Sequence, residues 1–332
     1  MSLKINLDKP KLIEEAKQGK SISPIIQISS FIVVFIVGCL FEMLILGAPM
    51  MKFMFGSEEV QTLTKQYSEG TIGIEELTSK IKAFATTGLP DNIVVLSLVA
   101  TVCVTIASIV YCKRYEKRSL ASMGFRKSNA VKEYLIGMLV GFGMFSAAVG
   151  ICLVLGGLSF DGIEQQIAWH YILLYFVGFV IQGMSEEVAC RGYLMISLAT
   201  RVPMAVALGI SSVVFAVLHL GNPGVSPLAV VNLIMFGLFA GIYFLKRGNI
   251  WGACAAHSVW NFVQGNFYGI SVSGMKQMKS IMHMTFVDSK DLINGGAFGL
   301  EGGLGVTIVY AIGIVILLLT KTKQDEVIDQ KS

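Results

Sequence analysis

The sequence predicts an all-α protein, a polytopic membrane bundle of about eight transmembrane helices with both termini inside. Of its 332 residues, 54% are hydrophobic and only 14% are charged, whereas soluble proteins have about 25% charged residues. The apolar residues form long continuous runs, and a helical span needs about 20 residues. Lys and Arg collect on one side of these runs. The composition therefore excludes a soluble enzyme and also a disordered chain, which needs low hydrophobicity.

Eight apolar runs are the predicted spans. They cover residues 25–46, 93–111, 134–156, 170–198, 203–220, 227–245, 250–268 and 303–319. The runs are continuous rather than alternating, which favours helices over a membrane barrel. The first run is too long for a signal peptide and no small-residue cleavage pattern follows it, so it is predicted to be a retained span.

The spans divide the chain into segments. The prediction is a cytoplasmic tail at 1–23, accessory helices at 24–165 with an outer loop at 50–92, four core helices at 166–268, an outer loop at 269–302, a last span at 303–320 and a cytoplasmic tail at 321–332. The loop 50–92 mixes Glu with Lys, which predicts short surface helices on the outer face.

The basic residues give the orientation. With eight spans, the two tails and the loops at 112–132, 200–202 and 246–249 fall on one side, and they carry most of the Lys and Arg. Short basic loops stay in the cytoplasm, which places both termini inside. The net charge of +4 reflects this asymmetry. The predicted partner is therefore the lipid bilayer and not a nucleic acid.

Several polar residues lie inside predicted spans, where charge is costly and usually functional. At a rise of about 1.5 Å per residue, Glu186 lies about 21 Å from the inner end of its helix, His219 about 24 Å and Asn261 about 20 Å. Three helices thus bring polar groups to similar depth. The polar set is Glu186, Glu187, Arg191, His219, His257 and Asn261.

Spacing within each helix suggests how these residues act. Glu187 and Arg191 are four apart and share a face, so we expect a buried ion pair. Glu186 lies on a different side of the helix and has no basic partner four residues further on. It is therefore the carboxylate available for catalysis. His257 and Asn261 share a face and can offer two donors to one point, which suits an oxyanion.

Phe215 and His219 are also four residues apart, so the phenyl ring is expected to pack against the imidazole and set its orientation. Glu42 lies near the outer end of the first span. Its carboxylate is expected to snorkel outward to the membrane surface.

Three motifs resemble one family. Residues 186–191 read E-E-x-x-x-R, residues 215–219 read F-x-x-x-H and residues 257–261 read H-x-x-x-N. Together they resemble the CPBP family of intramembrane proteases, which comprises CAAX proteases and bacteriocin-processing proteins and is also called Abi. The chain is similar there to the type II CAAX prenyl endopeptidase, over about residues 170–268.

The resemblance implies an endopeptidase of the cell membrane, the plasma membrane if the chain is bacterial, that hydrolyses a peptide bond of a membrane-associated peptide or protein. Carried over, Glu186 and His219 activate a water, and His257 and Asn261 hold the oxyanion. Structural support comes from Glu187, Arg191 and Phe215.

No cofactor is favoured by the sequence, although a zinc ion is the alternative. Glu186, His219 and His257 could hold Zn²⁺ and leave a position open for water. The H-E-x-x-H helix of many zinc proteases is absent, and Asn is a poor zinc ligand. A glutamate mechanism without metal has its base, water and oxyanion groups in these motifs.

Two other functions remain open at this point. One is a non-catalytic membrane protein of the same fold that acts in bacteriocin immunity or as a scaffold. The other is a transporter with a proton site at the midplane of the membrane.

Overall fold

The computed structural model describes residues 11–87, 89–275 and 278–320, so the prediction for residues 1–10 and for the tail 321–332 lies outside the described residues. The α-helices, numbered in chain order, are α1 (Lys11–Lys17), α2 (Pro24–Gly56), α3 (Glu58–Ser68), α4 (Ile74–Thr87), α5 (Asp91–Ala100), α6 (Val102–Arg114), α7 (Ala130–Val154), α8 (Trp169–Glu187), α9 (Ile196–Ala199), α10 (Met204–Leu218), α11 (Pro227–Arg247), α12 (Ile250–Phe262), α13 (Asp291–Asn294) and α14 (Leu304–Leu319).

The predicted fold class is confirmed: the described chain is a polytopic bundle of apolar α-helices. Five continuous helical stretches are long and apolar enough to cross a membrane, namely Pro24–Gly56, Asp91–Arg114, Ala130–Val154, Trp169–Ala199 and Pro227–Arg247. Met204–Leu218 and Leu304–Leu319 are shorter apolar helices. Together with α12 they occupy the remaining three predicted runs, and the chain is a multi-pass membrane protein.

The helix of the first span, α2, is longer than the hydropathy predicted. Helix α2 continues through Pro49 to Gly56, so the first residues of the predicted outer loop 50–92 still belong to the helix of the span. A span predicted from hydropathy ends where polar residues begin. The helix itself ends only where its backbone hydrogen bonds end. The rest of the segment forms the short helices α3 and α4.

A two-stranded sheet was not predicted. Strands β1 (Leu158–Ile163) and β2 (Met282–Phe286) pair antiparallel. The predicted outer loop 269–302 therefore contains a strand, the helix α13 and two 3-10 turns, and it folds into a cap at one end of the bundle. His283 Nε2, on β2, lies 3.1 Å from Oε2 of Glu164, which directly follows β1, so this contact links the two strands.

Helix α12 lies at the centre of the bundle, and small residues allow its neighbours to approach. A Cβ on Gly137 or Gly141 of α7 would lie 2.2 Å or 2.3 Å from a backbone oxygen of α12. Gly183 of α8 faces the backbone of Ser258 in the same way, at 2.7 Å. Such close contact between helices is typical of membrane bundles. Lipid provides no hydrophobic driving force for helix association, so helices associate through close packing, which small residues allow.

Gly141→Ala is expected to destabilise the chain by about 1–3 kcal/mol, because the added methyl group pushes α7 away from the Ala256 carbonyl. Gly143→Ala is the matched control, since a Cβ there meets nothing within 4 Å. Thermal unfolding in detergent measures both variants. Equal midpoints would show that the bundle absorbs the methyl group without cost.

Candidate active site

The polar residues predicted from the sequence meet in one cavity. It has a volume of about 360 Å³ and lies among α2, α5, α8, α10, α11 and α12. Glu186, His219, His257 and Asn261 all line it. Helices that lie far apart along the chain therefore bring one carboxylate, two imidazoles and one amide to the same space.

A buried ion pair lies behind the cavity. Arg191 Nη1 is 2.9 Å from Glu187 Oε1, and both residues are 0% exposed. The guanidinium carbon of Arg191 lies 4.6 Å from the ring centroid of Phe215 and 5.6 Å from that of Phe236. Two aromatic faces and one carboxylate thus surround a cation that has no access to water.

Glu187 also holds His257. Its Oε1 lies 2.9 Å from His257 Nδ1, and because a carboxylate accepts, Nδ1 carries the donated proton. His257 Nε2 is then turned towards Glu186 and lies 3.5 Å from its Oε2. The ring is only 4% exposed. The buried pair therefore fixes which nitrogen of His257 faces the cavity.

Glu186 is part of a chain of side chains that sequence reasoning missed. Gln182 Nε2 donates to Glu186 Oε1 over 2.6 Å, and Asn261 Nδ2 donates to Gln182 Oε1 over 2.9 Å. Gln182 thus joins the carboxylate on α8 to the amide on α12. The signal was available, since Gln182 lies four residues before Glu186 in an apolar run.

His219 caps the C-terminal end of α10. Its Nδ1 lies 2.8 Å from the carbonyl oxygen of Phe215. Because a carbonyl only accepts, Nδ1 is the donor and a neutral ring keeps its lone pair on Nε2. The Phe215 ring packs against the imidazole with centroids 4.6 Å apart. His219 therefore brings a possible proton acceptor to the cavity wall.

Two helices change their winding beside these residues. After Glu187, α8 continues as a π-helix over Val188–Met195, and after Phe262, α12 continues as a π-helix over Val263–Phe267. Short π segments inside α-helices are frequent at functional sites. Neither segment was predicted from the sequence.

The expectation for Glu42 was wrong. Glu42 is half-buried and lines the cavity instead of reaching the membrane surface. Phe35, which precedes it on α2, lines the same wall. Helix α2 is apolar on every side, so the sequence could give the depth of Glu42 but not the face on which it lies.

The cap closes the other side of the cavity. Glu301, just before α14, accepts hydrogen bonds from the backbone N–H and the hydroxyl of Ser273, both over 2.7 Å. Asn222 Nδ2 donates to the carbonyl oxygen of Ser273 over 2.9 Å. Ser273 and Glu301 both line the cavity. The segment 269–302 therefore forms a hydrogen-bonded roof over the polar residues.

Within the part of the chain that the structure describes, no group of three or more His, Cys, Asp or Glu side chains is arranged to hold a metal ion. Of the three residues considered for zinc, His257 directs Nδ1 to Glu187 and Nε2 towards Glu186. His219 directs Nδ1 to a carbonyl group. In this arrangement the three side chains do not form a common ligand set.

The comparison with protein families gives the same assignment as the motifs. Residues 168–263 match the family described as type II CAAX prenyl endopeptidase Rce1-like. Over this segment, the chain is similar to the CAAX-protease family. All three motifs fall inside the match. No curated protein and no solved structure matches the chain.

Proposed function

We propose that the chain is an intramembrane endopeptidase that hydrolyses a peptide bond of a membrane-associated peptide or protein. The observation that carries the proposal is the position of His257, which lies between Glu187 at 2.9 Å and Glu186 at 3.5 Å in a cavity inside the bundle. A lone structural ion pair between Glu187 and Arg191 would not need a second carboxylate at the cavity wall.

In this mechanism, a water molecule is held between Glu186 and His219. As the water oxygen bonds to the carbonyl carbon of the substrate, Glu186 takes a proton from that water. When the C–N bond breaks, Glu186 gives the proton to the leaving amine. Asn261 donates to the oxyanion that forms on the carbonyl oxygen, and His257 Nε2 does so when its ring carries a proton on both nitrogens. The water supplies the hydroxyl group of the new carboxylic acid, so no other reactant is needed.

The supporting residues keep these groups in place. Glu187 holds the ring of His257, and Arg191 neutralises the charge of Glu187. The Phe215 ring packs against His219, and the Phe215 backbone carbonyl accepts a hydrogen bond from His219 Nδ1. Such contacts matter because catalytic groups act only within a narrow range of positions.

We propose that the reaction needs no metal. The support is that, among the residues that the structure describes, Glu186, His219 and His257 are not arranged as a group that could share one metal ion. Washing the purified protein with a strong chelator is expected to leave the cleavage rate unchanged, with zinc content measured on the same sample. Activity that disappears with the metal and returns with Zn²⁺ would establish Glu186, His219 and His257 as zinc ligands instead.

Comparative peptidomics of membranes tests the proposed activity. Cells that produce the wild-type chain are compared with cells that produce equal amounts of the Glu186→Gln chain. We expect new peptide ends only with the wild-type chain. Identical peptide ends in both, together with a protective effect of the wild-type chain against a bacteriocin, would favour the non-catalytic membrane protein.

A further inference from the structure

Helices α6 and α7 follow one another in the chain, but they do not pack side by side in the part of the chain that the structure describes. Helix α6 packs against α2 and α8, whereas α7 packs against α12 and α14. A groove of about 510 Å³ lies where α6 ends and α7 begins. It is separate from the candidate active site, because no described residue lines both cavities.

Most of the groove is apolar. The apolar side chains that line it are Ile109, Leu120, Phe125, Ala130 and Trp251. The rings of Phe125 and Trp251 pack edge to face with centroids 5.4 Å apart, and aromatic side chains of this kind collect at the membrane interface. Ile109 lies five residues before Arg114, about 8 Å from the end of α6. The groove is therefore at the level where acyl chains meet headgroups.

The chain around the groove is basic. Residues 112–133 contain seven Lys or Arg and only two acidic residues. Each of these two carboxylates is paired with an arginine. Glu116 Oε2 lies 3.1 Å from Arg118 Nη1, and Glu133 Oε2 lies 2.7 Å from Arg247 Nε. The lysines of this segment therefore keep a positive charge that its own carboxylates do not compensate.

Two lysines lie at the mouth of the groove. Lys127 lines it and is exposed. Lys113 lies four residues after Ile109 on α6, so it is on the same face of the helix and one turn closer to the membrane surface. Neither lysine forms an ion pair with a carboxylate of the described residues. Arg126 also lines the groove, but its Nη2 is held by Glu15 Oε2 over 2.9 Å.

The first turn of α7 adds hydrogen-bond donors beside Lys127. The helix begins at Ala130, which lines the groove, and its N-cap Asn129 makes no side-chain hydrogen bond to the helix. The first N–H groups of a helix have no partner inside the helix, and they attract anions. The carbonyl oxygen of Arg126 in the preceding loop already accepts from Trp251 Nε1 over 3.1 Å. An anion at this point thus meets donors and cations.

We propose that the groove binds an anionic phospholipid from the membrane leaflet at this end of the bundle. One acyl chain lies along the apolar lining between α6 and α7, and the phosphate group lies at Lys127, Lys113 and the first turn of α7. Basic pockets between transmembrane helices favour anionic headgroups by charge complementarity. A zwitterionic headgroup brings its own cation to the same lysines, so it binds less tightly. The bound lipid fills the gap between the two helices and stabilises the bundle.

Lipid binding to the purified full chain in a non-ionic detergent tests the proposal. Native mass spectrometry compares phosphatidylglycerol with phosphatidylcholine of the same acyl chains, and thermal unfolding is measured with each lipid and with inorganic phosphate. We expect phosphatidylglycerol to be retained more strongly and to raise the unfolding midpoint, and phosphate to leave the midpoint unchanged. Equal retention of the two lipids overturns the proposal. So does an equal rise with phosphate alone, because a free anion would then be the ligand.

Two variants separate the charge from the apolar lining. Lys127→Gln is expected to weaken phosphatidylglycerol binding about fivefold, the effect of one lysine near an anionic surface. Ala130→Trp is expected to exclude the acyl chain and abolish the retained lipid. The control is Arg201→Gln, which removes one positive charge from an exposed residue that does not line the groove. Wild-type binding in Lys127→Gln or in folded Ala130→Trp, or an equal loss in Arg201→Gln, would rule out this groove as the site.

Discussion

Replacing Glu186 with glutamine is expected to lower the cleavage rate by about 10²–10⁴-fold, which is the range that general acid–base groups contribute. Glutamine keeps the size of the side chain and can still accept the hydrogen bond from Gln182, but it cannot take a proton from water. The initial rate is measured on purified protein in liposomes with a peptide found by peptidomics. The unfolding temperature of the variant should stay close to that of the wild type.

Glu42→Gln is the matched control for this result. It removes a carboxylate from the same cavity but leaves the contacts among Glu186, Gln182 and His257 unchanged. We expect Glu42→Gln to keep most of the cleavage rate. A Glu186→Gln protein with wild-type cleavage would falsify the glutamate mechanism. An equal loss of cleavage rate in both variants would mean that the rate depends on the total charge of the cavity and not on a single catalytic base.

Arg191→Met is expected to destabilise the chain by about 3–5 kcal/mol, because it leaves the charge of Glu187 buried without its partner. The double variant Glu187→Gln with Arg191→Met is expected to recover most of this loss, since a buried pair can often be replaced by neutral groups at little cost. Equilibrium unfolding in detergent measures both. A double variant as unstable as Arg191→Met would contradict the assignment of the loss to an unpaired charge.

An exposed ion pair with the same spacing provides the comparison. Glu76 and Lys80 are also four residues apart and lie 2.7 Å from each other, with both side chains about half exposed. Lys80→Met is expected to cost less than about 1 kcal/mol, because water screens this pair. The difference between the two substitutions measures the effect of burial at fixed spacing.

The helices could be predicted from the sequence because the bilayer restricts what an apolar run can form. A backbone in lipid has to satisfy its own hydrogen bonds, so long apolar runs become helices. The grouping of Glu186, His219 and Asn261 at one depth could be estimated for the same reason, since rise per residue is fixed in a helix. Depth along a helix is thus readable from one sequence.

The remaining features depend on contacts between distant parts of the chain. Strand β1 pairs with residues that follow it after more than 100 positions, and neither strand has a strong pattern of its own. The roof made by Ser273 and Glu301 and the position of Glu42 depend on which face of each helix turns inward. In helices that are apolar on all sides, periodicity does not select a face.

The cavity joins residues from inside and outside the segment that matches the protease family. Glu186, His219, His257 and Asn261 lie within residues 168–263, but Phe35 and Glu42 precede the match, and Ser273, Glu301 and Tyr310 follow it. In the proposed function, the residues assigned to bond hydrolysis thus lie inside the match, while part of the cavity wall that a peptide would meet lies outside it. Substitutions in α2 or in the cap would therefore change the shape of the cavity and leave the three motifs intact.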